Sequence, residues 1–130
     1  MKKIAFIVGF FISLSLPLFG SLNAFAGSLI IEVPDDPEPT TEVITYQCET
    51  GTSKEHVEVT YLNAGSISLV DFKWQEKRII ASRSMSASGA KYMGGPYIWW
   101  TKGNEATLSD LINDPEEKNL IQCLEEQKTE

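Results

Sequence analysis

A chain of 130 residues, 42% of them hydrophobic, has material for one modest core and not for two. Its net charge of −7 works against nucleic acid and anionic lipid as partners and favours a cationic one. With two cysteines, no Cys-x-x-Cys and a lone His56, neither a metal site nor a redox centre has a ligand set, so no cofactor is expected.

In chain order, Lys2 and Lys3 precede an apolar run over residues 4–19, interrupted by Gly9, Ser13, Ser15 and Pro17 and followed by Ala24-Phe25-Ala26. This is the pattern of a secretory signal peptide, residues 1–26, cleaved after Ala26. The run is short for a membrane span of roughly 20 residues, and Gly27 offers no thiol for lipid attachment, so no membrane anchor is expected in the mature form. Cleavage leaves 104 residues and moves the net charge to −9 by removing two lysines and no acids. Cys48 and Cys123 then share an oxidising compartment, and one disulfide between them is the default.

Val33-Pro34-Asp35-Asp36-Pro37-Glu38-Pro39-Thr40-Thr41 carries three prolines and three acids, which disfavours helix and sheet alike. Residues 27–42 read as a flexible acidic leader, 43–124 as the folded domain and 125–130 as a flexible tail. Period-two alternation over 43–48 and 56–62, around the turn 49–53, predicts a hairpin with His56 facing solvent. Further strands are expected over 67–74, 77–81, 97–102, 106–108 and 119–124, and at Tyr92, with Leu69, Ile79 and Ile80 as core candidates. The one helix-compatible stretch, 108–119, contains Asn113, Asp114 and Pro115 and reads as a turn. Short strands with glycine and asparagine turns define an all-β domain, a meander closed into a small barrel or flattened into a sandwich.

Three catalytic readings compete. Ser88-Gly89-Ala90-Lys91 matches the Ser-x-x-Lys pattern of serine acylases, but Gly89 and Met93-Gly94-Gly95-Pro96 oppose the helical turn it needs, and Thr101-Lys102-Gly103 is in the wrong order for their Lys-Thr-Gly motif. A Ser88–Lys102 dyad requires a desolvated lysine. Carboxylates for glycoside cleavage cluster at 35–38 and 114–117, in segments unable to hold a set separation. A non-enzyme is therefore expected. Ser88 and Lys102 make better sense as donors offered to a carboxylate-bearing partner, although composition alone favours two plain turns. Tyr97, Trp99 and Trp100 alternate around Ile98, so one tryptophan faces the core and its neighbour the outside. An alternative function is a carrier whose barrel mouth, lined by these aromatics, holds an apolar ligand.

Tyr46-Gln47-Cys48, Val57-Glu58-Val59-Thr60-Tyr61, the run from Ser86 to Tyr92, the run from Trp99 to Leu108 and the late Cys123 resemble the MliC/PliC inhibitors of c-type lysozyme over residues 46–123. The resemblance implies an eight-stranded antiparallel β-barrel whose Cys48–Cys123 disulfide joins first and last strands. It also implies a loop inserted into the active-site cleft of c-type lysozyme, the cationic protein partner. Ser88 and Gly89 fall in the family's Ser-Gly-x-x-Tyr motif with Tyr92, and Lys102 falls in Thr-Lys-Gly with Thr101 and Gly103. Ser88 and Lys102 would address the two catalytic carboxylates, with Gly89 among the lysozyme-binding residues, while Tyr92, Thr101 and Gly103 support loop shape. Gly27 in place of a lipidated cysteine points to the periplasmic branch, and 109–119 is longer than the family's plain turn. The reading leaves room for a homodimer.

Overall fold

Alternation of large apolar and polar residues carries the chain through eight strands in the computed structural model, which describes residues 27–35 and 38–127. They are β1 (Thr40–Thr50), β2 (Ser53–Ala64), β3 (Ile67–Trp74), β4 (Lys77–Ser84), β5 (Ala90–Gly94), β6 (Tyr97–Lys102), β7 (Glu105–Asp110) and β8 (Ile121–Glu125). Each pairs antiparallel with its successor, and β8 returns to β1, closing the barrel in simple up-and-down order. The barrel lies within residues 32–130. β1 begins at Thr40, inside the span read as leader, because Thr40 to Val43 continue the ladder opposite Asn63 to Thr60 of β2. The signal-peptide reading of 1–26 falls outside the described residues.

Inward positions follow the period of two: Tyr46 and Cys48; Val57, Val59 and Tyr61; Val70, Phe72 and Trp74; Ile79 and Ala81; Tyr92; Trp99; Ala106 and Leu108; Cys123. The same period corrects two core expectations. Ile80 sits between inward Ile79 and Ala81 and is 50% exposed, and Leu69, preceding inward Val70, is only half-buried on the outer face. Adjacent Trp99 and Trp100 divide as alternation requires, Trp99 being 1% exposed and Trp100 half-buried outside.

Aromatic rings fill the barrel axis. Trp99 packs edge-on against Tyr46 and tilted against Phe72, with ring centroids 5.1 Å apart in both pairs, and its indole N–H donates to the Tyr61 hydroxyl at 3.0 Å. Tyr61 and Tyr46 share a 2.7 Å hydroxyl contact, so the polar tips buried in the lumen satisfy one another. Burial pushes the phenols of Tyr46, Tyr61 and Tyr92 above the ordinary tyrosine range, so all three are neutral wherever the fold is used. Among the described residues, these rings occupy the lumen that the carrier alternative would need for its ligand.

Cys48 and Cys123 stand opposite each other across the β1–β8 seam and are joined by a disulfide. The segment after β7 forms turns, as its proline and asparagine foretold. Leu111 N–H donates to the Pro96 carbonyl at 2.9 Å, and buried Ser109 donates its hydroxyl to Glu117 at 2.9 Å. His56 is exposed and pairs with Glu126.

The β3–β4 hairpin turns through Gln75 and Glu76 at φ of 47° and 66°, a two-residue loop in the left-handed region without glycine. Side chains there cost about 1 kcal/mol relative to residues that visit this region freely. Replacing the pair by Asn-Gly is expected to raise stability by about 1 kcal/mol, read as a higher urea midpoint at unchanged slope.

Candidate functional site

In an eight-stranded meander every second connection lies at the same end. Residues 65–66, 85–89 and 103–104 are therefore neighbours at one rim, and 51–52, 75–76, 95–96 and 111–120 lie at the other. Fourteen residues of sequence separate Ser88 from Lys102, yet β5 and β6 form a single hairpin that brings their outer ends together, Ala90 opposite Thr101.

Trp100 is the brace between them. Its indole N–H donates to the Ser88 carbonyl at 2.9 Å, while Lys102 Nζ lies 4.9 Å from its ring centroid. Lys91, directly across the ladder, places its own Nζ 5.2 Å from the same ring. Each ammonium gains about 0.5–1 kcal/mol from the aromatic face at such a site. Two like charges on one ring also repel, so an anion arriving there relieves the repulsion. Among the described residues neither lysine is in an ion pair.

Three further bonds hold the loop. Ser86 donates its hydroxyl to the Gly89 carbonyl at 3.2 Å, Thr101 donates to the Ala90 carbonyl at 3.4 Å, and Glu125 N–H donates to the Asn104 carbonyl at 2.8 Å, tying the Lys102 turn to the end of β8. Gly89, at φ +68°, runs its backbone against β6. A Cβ there would strike the Thr101 carbonyl oxygen and stand 2.8 Å from Lys102 Cγ. Gly103, at φ +60°, makes the tight turn beyond Lys102.

Ser88, Gly89, Lys102 and Gly103 are exposed at this rim, and Thr101 is half-buried beneath them. Tyr92 is not part of the surface. It is 5% exposed in the core, 6.0 Å from Tyr61 between ring centroids, and acts on the loop only through the strand it anchors. Because Ser88 and Lys102 are open to water, the desolvated base of a serine–lysine dyad is not present. A groove of about 210 Å3 leads away from Trp100 and Lys102 past Thr107 and Gln122, so the site is an open surface continuing onto the outer wall.

Sequence reading had singled out Ser88 and Lys102 but not the brace. Alternation from buried Trp99 places Trp100 outside, and only the β5–β6 register puts Lys91 beside it.

Fold and rim together define a class: a closed eight-stranded barrel, filled with aromatics, with braced turns at one rim. The profile of the family described as "MliC: Membrane-bound lysozyme-inhibitor of c-type lysozyme" matches residues 46–117, and the chain belongs to this family. A membrane-bound lysozyme inhibitor of C-type lysozyme from Cupriavidus necator is 40% identical over 74 residues, 57% of either chain's length. The protein of the same description from Pseudomonas aeruginosa is 38% identical over 96 residues, 73% of each. The crystal structure of Pseudomonas aeruginosa MliC in complex with hen egg white lysozyme superimposes with a TM-score of 0.63 at 34% identity, covering 78% of this chain and 98% of that one.

Proposed function

We propose that this protein is an inhibitor of c-type lysozyme which inserts the 85–89 loop and the Lys102 turn into the enzyme's active-site cleft. The observation that carries the reading is the Trp100 brace, which holds a hydroxyl-bearing turn and an ammonium-bearing turn side by side at one rim. Lysozyme hydrolysis needs one protonated and one ionised carboxyl. Lys102 satisfies the ionised group by charge and hydrogen bonds, and Ser88 Oγ satisfies the other, so neither is left for substrate. Gly89, Thr101 and Gly103 shape the turns, and Tyr92 anchors them from the core. The acidic remainder of the chain speeds encounter with a cationic enzyme.

The same reading takes residues 1–26 as a signal peptide cleaved after Ala26, 27–42 as a leader and 125–130 as a tail. With Gly27 at the new terminus, it assigns the chain to the periplasmic, unanchored branch and gives it no catalysis of its own. The direct test is lysis of bacterial cell walls by c-type lysozyme with and without the purified protein. Lysis falls in proportion to added protein if the reading holds, and undiminished lysis at severalfold molar excess overturns it.

The mechanism has its own test. Lys102→Ala is expected to weaken lysozyme binding by about 2–5 kcal/mol while lowering the melting temperature by only a few degrees, since Lys102 is exposed, its contact with the Trp100 ring is worth at most about 1 kcal/mol, and a lost charge contact in a desolvated cleft is larger. Ser88→Ala costs less, about 1 kcal/mol. Titration calorimetry of both variants reads the difference, and equal affinity for the Lys102 variant excludes insertion of this turn.

A further inference from the structure

The loop that carries Ser88 holds one large apolar side chain, Met85, among Ser84, Ser86, Ala87, Ser88, Gly89 and Ala90, and that side chain is 96% exposed. It is the most exposed of the large hydrophobics on the barrel, beyond Ile112 at 73%, outward-facing Ile80 at 50% and Met93 at 41%. Nothing in the fold uses it. Loop shape is held by the Trp100 bond to Ser88 and the Ser86 bond to Gly89, and neither involves Met85. A solvated apolar side chain of this size, three residues from a group proposed to enter a partner's cleft, gains from water exclusion only in a complex.

We infer that Met85 is the apolar anchor of the binding surface, entering the lysozyme cleft beside Ser88 and packing on the apolar wall that flanks the catalytic acid. This rests on the function proposed above and adds a contact to it. The chemistry of the partner supplies the wall. A carboxyl that must stay protonated near neutral pH is kept so by an apolar pocket, so a hydroxyl addressing that carboxyl brings its neighbours against nonpolar and aromatic surface. Methionine suits this place because its unbranched thioether adapts to irregular walls and makes favourable sulfur–aromatic contacts. Ser88 and Lys102 then provide direction and charge, and Met85 provides the water-excluding area.

A chemical consequence follows from the exposure. A hydroperoxide delivers its distal oxygen to the Met85 sulfur, whose lone pair forms the S–O bond as the O–O bond breaks. Sulfoxide and, from hydrogen peroxide, water result, with sulfur oxidised and peroxide oxygen reduced. A polar sulfoxide no longer fits an apolar wall, so binding weakens on oxidation at this one residue.

The experiment compares the wild-type protein with Met85→Ala, Met85→Leu and Met93→Leu, each before and after hydrogen peroxide, by lysozyme affinity, melting temperature and peptide mass. Before treatment Met85→Ala is expected to bind about tenfold more weakly at an unchanged melting temperature, and Met85→Leu to bind within about threefold of wild type. After treatment the wild type and Met93→Leu lose affinity by about the same factor as the alanine variant, with the added oxygen mapped to Met85, while Met85→Leu keeps its affinity. Wild-type affinity in Met85→Ala, or equal losses on oxidation in wild type and Met85→Leu, overturns the inference and leaves inhibition intact. Absence of binding by the untreated wild type instead overturns the proposed function, and this inference with it.

Discussion

Breaking the Cys48–Cys123 disulfide is expected to cost about 4–5 kcal/mol, the largest effect of any single covalent change in this protein. The bond joins residues 75 apart in sequence, and in the chain-entropy picture a loop of that size restrains the unfolded ensemble by this amount. Its position adds to the effect. β1 pairs with β2 through eleven residues, from Thr40 opposite Asn63 to Thr50 opposite Ser53, but with β8 through only four, Tyr46 to Glu49. The seam that closes the barrel is thus a short ladder next to the longest one, and the disulfide sits within it. Since domains of this size are stable by only about 5–15 kcal/mol, the loss is a large fraction of the whole. Urea unfolding of the Cys48→Ala, Cys123→Ala double variant should give a midpoint far below that of the oxidised protein. A matching midpoint would show that the seam holds without the bond.

Gly89→Ala is the second large effect, expected at about 3 kcal/mol or more. Part is the cost of holding a side chain at φ +68°, and the larger part is the collision of the new methyl with the Thr101 carbonyl oxygen, backbone that cannot move without disturbing the β5–β6 hairpin. For a domain of roughly 100 residues this corresponds to a fall of roughly 10–20 °C in melting temperature. Gly51 is the control. It has nearly the same φ, +61°, but open space where its Cβ would be, so Gly51→Ala should cost about 1 kcal/mol. If the two variants melt alike, the tight contact at Gly89 is not what the loop depends on. In the proposed inhibitor, Gly89→Ala also displaces Ser88 and Lys102 together, so residual folded protein should bind lysozyme weakly.

The family and the candidate turns were legible in the sequence. Ser88 and Lys102 stood out as donors at glycine turns, and the motifs around them pointed to a family to which the chain does belong. Gly103 was recognised as a shaping residue, and φ above zero there, as at Gly89, gives the reason. Tyr92 was read as part of the motif but could not be placed in space, because a tyrosine in a binding motif reads equally well as contact or as core. Its burial against Tyr61 decides for core. Leu69 and Ile80 misled for a related reason. Apolar character marks a strand, but the face is set by phase, and Val70 and Ile79 already held the inward positions.

The sequence by itself determined the all-β class, the alternation that sends Trp99 inward and Trp100 outward, the pairing of the only two cysteines and the identity of the two donor-bearing turns. These are properties of period, composition and local backbone demand, each readable within a short window of chain. Only the tertiary structure decided that the two turns share one rim, that Lys91 and Lys102 meet over a single indole, and that Met85 stands free beside them. Those facts depend on strand count, closure and cross-strand register, which are set by long-range pairing in which a shift of one residue would turn Trp100 inward and leave the turns without their brace.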